Sequence, residues 1–223
     1  MLLLPNILFE TSKVLVVEKP AGLTTEHDAR YDSPSLESWA AAYLRKHPKQ
    51  KVFAAAAHRL DRPVSGFLGM AKNKSTLQLL HEQFRLRMPE KYYTALVEGE
   101  IPAEKGVLKH WHVKDQQLKK ALLYSTSKPQ SAPVSLEYQI LEKLPDRTLV
   151  EIRLHTGKFH QIRAQMAAIG HPVCGDQKYG AKTVYRENAI CLHASSLRIL
   201  LPEADSPQWF TSAPDLEGWK KMA

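Results

Sequence analysis

Hydrophobic and polar positions alternate along this chain in two rhythms, one of period two and one near 3.6, and the switches between them mark its elements. Val14 to Val17 is an unbroken apolar run and reads as a buried strand. It is closed by Glu18-Lys19-Pro20-Ala21-Gly22, where Pro20 followed two residues later by Gly22 suits a tight turn. Lys19 then projects from the strand end, either into solvent or toward a site. Ser33-Pro34 reads as a helix start, a capping serine before proline at the first helical position. Leu36, Trp39, Ala40, Tyr43 and Leu44 follow at helical spacing as a core-facing stripe. A second helix is expected over Ser75 to Leu86, with Leu77, Leu80 and Phe84 inward, His81 packed or at the surface, and Pro89 past its end.

The second half returns to period two. Lys91 to Gly99 is rich in strand formers, and alternation sends Tyr93, Ala95 and Val97 to one face and Tyr92, Thr94 and Leu96 to the other. Val134 to Leu141 and Thr148 to Leu154 read as strands joined by a turn around Pro145-Asp146. His155 to Arg163 then opens a helix whose inward face is Phe159, Ile162, Met166 and Ile169, stopped by Gly170. Arg163 falls at the edge of that face, where it can reach a cleft. A last strand runs from Leu192 to Leu201 before Pro202 and a polar tail. No internal repeat, low-complexity run or linker marks an appended domain.

One stretch breaks both rhythms. Between the apolar runs Val52 to Ala57 and Phe67 to Ala71 lies His58-Arg59-Leu60-Asp61-Arg62-Pro63-Val64-Ser65-Gly66. It sets one carboxylate between two arginines on a loop anchored at both ends, a usual place for chemistry on a rigid scaffold. Spacing alone favours an ion-paired surface loop; the other segments change that reading.

Composition narrows the class. With 223 residues the chain can form one large domain or two lobes sharing a sheet, and 43% hydrophobic with 24% charged residues is ordinary for a globular protein. The net charge of +8 points to a polyanionic partner. From Lys109 to Lys128, five lysines face one aspartate, with His110, Trp111 and His112 interleaved. That mixture suits a phosphate-tracking hairpin and equally a solvated edge ribbon. No apolar run approaches the ~20 residues of a membrane span. Met1 to Leu4 is cut short by Pro5, Asn6 and Glu10 and lacks a basic leader, so no signal peptide is expected. Two cysteines, Cys174 and Cys191, fit a reducing cytoplasm better than a disulfide scaffold. His155, His160, His171, Cys174, Cys191 and His193 do not match zinc spacings: there is no HExxH helix and no paired CxxC.

Taken together, VVEKPAGL around Lys19, HRLDRPVSGFLGMAK around Asp61, KYYTALVEGE, HTGKFHQIRAQMAAIGHPVCGDQKYG and CLHASSLRILLP resemble the signature blocks of the RluA family of RNA pseudouridine synthases. They stand in family order over about residues 10 to 202. The resemblance implies an α+β fold: a mixed, mostly antiparallel sheet bent across a central active-site cleft, with flanking helices, in a single catalytic domain spanning 1–223. It implies isomerisation of a uridine already in RNA, with no cofactor and no metal. It makes Asp61 the nucleophile or base, attacking the sugar or the ring, Arg163 its cation, and Tyr93 the residue that stacks on the uracil and exchanges a proton. Ile162 packs beneath the base, and Arg59 fills the space vacated by the extruded nucleotide. Lys19, Arg62 and Lys158, from the same blocks, complete the expected substrate-binding set.

Four positions depart from the family pattern. Pro63-Val64 stands where an acidic residue and threonine are common, Lys158 replaces a common arginine, and Gln165 a common histidine. These departures bear on substrate fit, since the three catalytic positions are intact. The chain begins almost at the first block, so the small N-terminal RNA-binding domain of many relatives is expected to be absent, and RNA affinity must come from the catalytic domain. The expected partner is structured RNA, transfer or ribosomal or both, and the expected form a cytoplasmic monomer away from membranes. The alternative is a non-catalytic RNA-binding protein that keeps the fold.

Overall fold

Strand β1 (Asn6–Glu10) alternates half-buried and exposed side chains and pairs antiparallel with β2 (Val14–Lys19), whose first four residues have no solvent exposure. The structure, a computed structural model, describes residues 4–28 and 34–221. It divides into two compact units, Met1–Pro89 with Ser196–Ser212, and Glu90–Ser195 with Ala213–Ala223.

In the first unit β2 continues two residues beyond its apolar run and pairs antiparallel with β4 (Ser65–Ala71), from Val14 opposite Ala71 to Lys19 opposite Gly66. The run Val52 to Ala57 yields only the two-residue strand β3 (Ala55–Ala56) on β4, because Phe53 turns aside to pack against the core. Helix α1 (Leu36–Leu44) corrects the expected start. Its cap is Ser35, which accepts from the Ser38 amide while the Ser38 hydroxyl accepts from the Ser35 amide. Two hydroxyls three residues apart close both orphan donors, so Pro34 stands before the cap. The expected capping residue, Ser33, lies outside the described residues. Helix α2 (Lys74–Arg85) starts one residue early, capped by Asn73, whose Oδ1 accepts from the Thr76 amide at 2.8 Å.

The core here gathers Val14, Val16, Ala57, Phe67, Ala71 and Leu80, with Phe9, Phe53, Leu77 and Phe84 against them. Leu197, Ile199 and Leu201, from the far end of the chain, complete it. They arrive on β10 (Leu192–Ile199), which begins in the second unit and ends in the first, where β11 (Gln208–Thr211) pairs with it.

The second unit orders its strands β5-β9-β8-β6-β7, each pair antiparallel, from β5 (Glu90–Glu98), β6 (Lys105–Asp115), β7 (Lys120–Tyr124), β8 (Ala132–Leu144) and β9 (Arg147–Leu154). Residues Tyr93 to Val97 of β5 are buried on both faces, so the expected two-sided alternation carries no inside and outside. The basic stretch is the hairpin β6–β7, with Trp111 opposite Tyr124. Its turn is held by Asp115, whose Oδ1 accepts from the amides of Gln117 and Leu118. Helix α3 (Gln161–Ala168) is buried on every side over its first six residues, so Arg163 is enclosed and Phe159 precedes the helix instead of lining its face. Gly170, at φ +86°, ends it as expected. A short helix α4 (Leu216–Lys220), unforeseen in the polar tail, buries Trp219.

Candidate active site

Asp61 sits half-buried on the loop between β3 and β4, and the backbone around it is fixed at several points. Its carbonyl accepts from the Val64 amide at 3.0 Å, closing a turn. Beside it, the Leu60 carbonyl accepts from the Thr25 hydroxyl at 3.0 Å, and the same hydroxyl accepts from the Leu60 amide at 3.3 Å. Arg62 exchanges bonds with the Gly22 turn: Nε donates to the Gly22 carbonyl at 2.9 Å, and the Gly22 amide donates to the Arg62 carbonyl at 2.8 Å. Gly22 holds φ +88° in that turn, which explains glycine there.

Lys19 lies beneath this junction. Of the two expected placements, the one in solvent is corrected, for the side chain is fully buried and turned toward the loop that carries Asp61. Nζ donates to the carbonyls of Pro20 at 2.9 Å, Leu23 at 2.8 Å and Arg62 at 3.2 Å. A cation so enclosed is a bracket between two loops. Burial lowers its pKa to about 7, against the opposing pull of the Asp61 carboxylate. Val64 is buried as well, so the missing hydroxyl at that position is replaced by packing. Arg59, by contrast, is exposed, 3.5 Å from Glu26.

In the second unit Arg163 is buried and Asp176 fixes it. Nε donates to Oδ2 at 2.6 Å and Nη2 to Oδ1 at 2.8 Å, a two-pronged geometry that sets the guanidinium plane. That plane lies 5.1 Å from the centre of the Tyr179 ring. The Tyr179 hydroxyl accepts from the Ala121 amide of β7 at 2.7 Å and bonds His160 Nδ1 at 3.0 Å. Burial first, and then the nearby Arg163 charge, push the His160 pKa down to about 2, so the ring that shares a hydrogen bond with the Tyr179 hydroxyl is neutral. His160 holds φ +51° and stacks on Phe159 at 3.7 Å. The chain of contacts β7–Tyr179–Arg163–Asp176 thus ties the basic hairpin to α3.

Ile162 is buried on the same helix, while Lys158 is exposed just before it. Tyr93 is buried on β5 opposite Ile152. A second polar chain roots α3. Gln161 Oε1 accepts from the Thr156 hydroxyl at 2.8 Å, and Gln161 Nε2 donates to Gln165 Oε1 at 2.9 Å. Gln165 Nε2, wholly buried, donates to the Leu108 carbonyl and to His110 Nδ1 at 3.1 Å. Glutamine therefore crosslinks helix and strand at the position where a histidine was the common residue.

Asp176, Tyr179 and the glutamine pair escaped the sequence reading. The GDQKYG segment was in view, but nothing in its spacing says that Asp176 returns to a helix thirteen residues earlier. Among the described residues no group of three His, Cys, Asp or Glu side chains converges for a metal. His171 Nδ1 donates to the Glu98 carbonyl at 2.8 Å, His155 pairs with Glu137, and Cys174 and Cys191 are buried thiols whose pKa burial raises, that of Cys174 to about 12.

The first unit thus presents one braced aspartate on a loop, and the second a locked arginine on a helix. The sequence pattern of RNA pseudouridylate synthase matches residues 13–168, and the chain belongs to that family. It is 33% identical over 215 residues to the ribosomal large subunit pseudouridine synthase C of Haemophilus ducreyi, covering 94% of this chain and 65% of that protein. With its namesake from Buchnera aphidicola subsp. Acyrthosiphon pisum it shares 31% over 222 residues, 96% of this chain and 69% of the relative. The chain thus spans about two thirds of the length of these relatives. The solved structure of human RNA pseudouridylate synthase domain containing 1 shares the fold, with a TM-score of 0.77 at 24% identity over 94% of this chain and 83% of that one.

Proposed function

We propose that this chain, acting as one catalytic domain, isomerises uridine to pseudouridine within structured RNA. The observation that carries the proposal is the Asp61 loop, braced by Lys19, Thr25 and Arg62 in a chain of this family. The reaction breaks the bond from ribose C1′ to ring N1, turns the freed uracil, and joins C1′ to ring C5. The C5 hydrogen leaves as a proton and N1 takes one up, so atoms and electrons balance without any redox partner.

Asp61 begins it as an ionised carboxylate that attacks either the sugar or the ring. Arg163 supplies the positive charge that keeps a carboxylate ionised, and its plane is preset by Asp176. Tyr93 offers a ring to stack on the uracil and a hydroxyl to move the C5 proton. Ile162 gives the base an apolar floor. Arg59, exposed and flat, fills the gap left when the nucleotide is extruded, and Lys158 and Arg62 meet phosphates nearby.

The names of the relatives make ribosomal RNA of the large subunit the first substrate to try, with transfer RNA second. RNA carrying tritium at uracil C5, taken from cells lacking this protein, should release label with the wild type. Asp61→Asn should bind the same RNA and release none. Equal release by both proteins sinks the assignment of Asp61; no release by either, with RNA still bound, leaves a non-catalytic RNA-binding protein.

A further inference from the structure

The net charge of +8 is concentrated in two places. Residues 109–128 carry five lysines against Asp115, and the seven residues Arg45 to Lys51 carry Arg45, Lys46, Lys49 and Lys51 with no carboxylate. Those two stretches account for the whole excess, and everything else in the chain balances. The first is the β6–β7 hairpin. The second, after α1, belongs to the first unit and has no part in the site described above.

Three observations set Arg45 to Lys51 apart from an ordinary solvated run. All seven residues are exposed, yet among the described residues none of the four cations forms an ion pair, whereas Lys13, Lys72, Lys143, Lys220 and Lys221 each meet a carboxylate. The loop also has a defined shape. The Lys46 amide donates to Gln50 Oε1 at 2.8 Å and the Gln50 amide to the His47 carbonyl at 3.0 Å, with Pro48 stiffening the turn between them. Finally, Lys46, Gln50, Lys51 and Lys72 border an open cavity of about 380 Å³. The one carboxylate there, Glu10, is already satisfied: Oε1 accepts from Lys72 and Oε2 from the Tyr43 hydroxyl at 3.0 Å. Its bond to Lys72 holds Glu10 below the ordinary carboxylate range, and this one charge, which also feels Lys46, cannot balance both Lys72 and the four cations of the loop.

Like charges left unpaired on a fixed loop beside a concavity repel one another until an anion enters. We infer that Arg45, Lys46, Lys49 and Lys51 form a second RNA-docking surface, which grips the phosphate backbone of the substrate outside the Asp61 loop. The inference rests on the RNA reading above. RNA fits because its phosphates offer repeated single charges to the exposed cations of this turn, with the open cavity beside Lys46 and Lys51.

The test compares two variants of equal net charge. One carries Arg45→Gln, Lys46→Gln, Lys49→Gln and Lys51→Gln; the other removes four ion-paired lysines by Lys13→Gln, Lys143→Gln, Lys220→Gln and Lys221→Gln. Binding to ribosomal RNA is measured across about 50 to 200 mM salt, and urea midpoints check that both variants fold. The loop variant should lose about tenfold or more in affinity and flatten the salt slope by about three, the value for four lost phosphate contacts, while the other changes the slope by less than about one. Equal losses in the two variants, or none in the loop variant, overturn the inference. Tritium release by the wild type on the same RNA decides the isomerase reading separately.

Discussion

A guanidinium and a carboxylate almost without solvent, as in Arg163 and Asp176, bind each other because neither has water to turn to. Removing one partner is far worse than removing both. Asp176→Asn should therefore cost about 3–5 kcal/mol in urea unfolding, and adding Arg163→Met should restore much of it. Lys19 offers a second measurement. Its pKa in the folded chain is about 7, against an ordinary 10.5, so between those values the unfolded state holds more protons. Stability from this group must then rise with pH, by at most about 1.4 kcal/mol per unit, from near pH 7 to near 10.5. Below pH 7 both states are charged and the burial penalty is fully felt. In Lys19→Met the rise should vanish, as the difference between wild-type and variant urea midpoints at neutral and alkaline pH will show. At this scale the sequence was half legible. Asp61 stood out only once all the blocks were read together, since its flanking arginines alone suit an ion-paired surface loop; the burial of Lys19 gave no sign, since a lysine at a strand end is ordinarily solvated.

Elements were read well where one face is wet and poorly where both are dry. Helix α2 shows its stripe of Leu77, Leu80 and Phe84 because its other side meets water. Helix α3 has no wet side over Gln161–Met166, so polar residues sit inside it on side-chain networks and periodicity loses its meaning. Strand β1 was missed for another reason: Leu8 is apolar yet exposed, so Ile7-Leu8-Phe9 shows no alternation in the sequence although burial alternates along the strand. The β6–β7 hairpin is anchored where Gly106 lies opposite Tyr138 on β8. A Cβ built on Gly106 meets the tyrosine ring at 2.6 Å, and a rigid aromatic yields little. Gly106→Ala should cost about 1–3 kcal/mol by overpacking, read as a lower thermal midpoint, and Tyr138→Leu in the same chain should recover part of it.

Across the molecule, composition gave the size of the charge but not its partition. A total of +8 is compatible with an even surface, and only counting charges along the chain shows that two stretches hold the surplus. Steering by such patches weakens with salt, so the affinity of the whole chain for RNA should be far more salt-sensitive than its folding. The family fold was legible because its blocks are long and ordered. The division into two units was not, because no linker separates them; the boundary falls between α2 and β5, again within β10, and a third time after Ser212.

That second crossing has a consequence during synthesis. Val14, Phe67 and Ala71 leave the ribosome early, but their core lacks Leu197, Ile199 and Leu201 until nearly all of the chain has been made. At roughly 5–20 residues per second, the interval is on the order of ten seconds. Throughout it the Asp61 loop hangs from an unfinished lobe. Residues near the end of the chain thus close the part of the molecule that was made first, and the protein gains its first lobe only when translation is almost over.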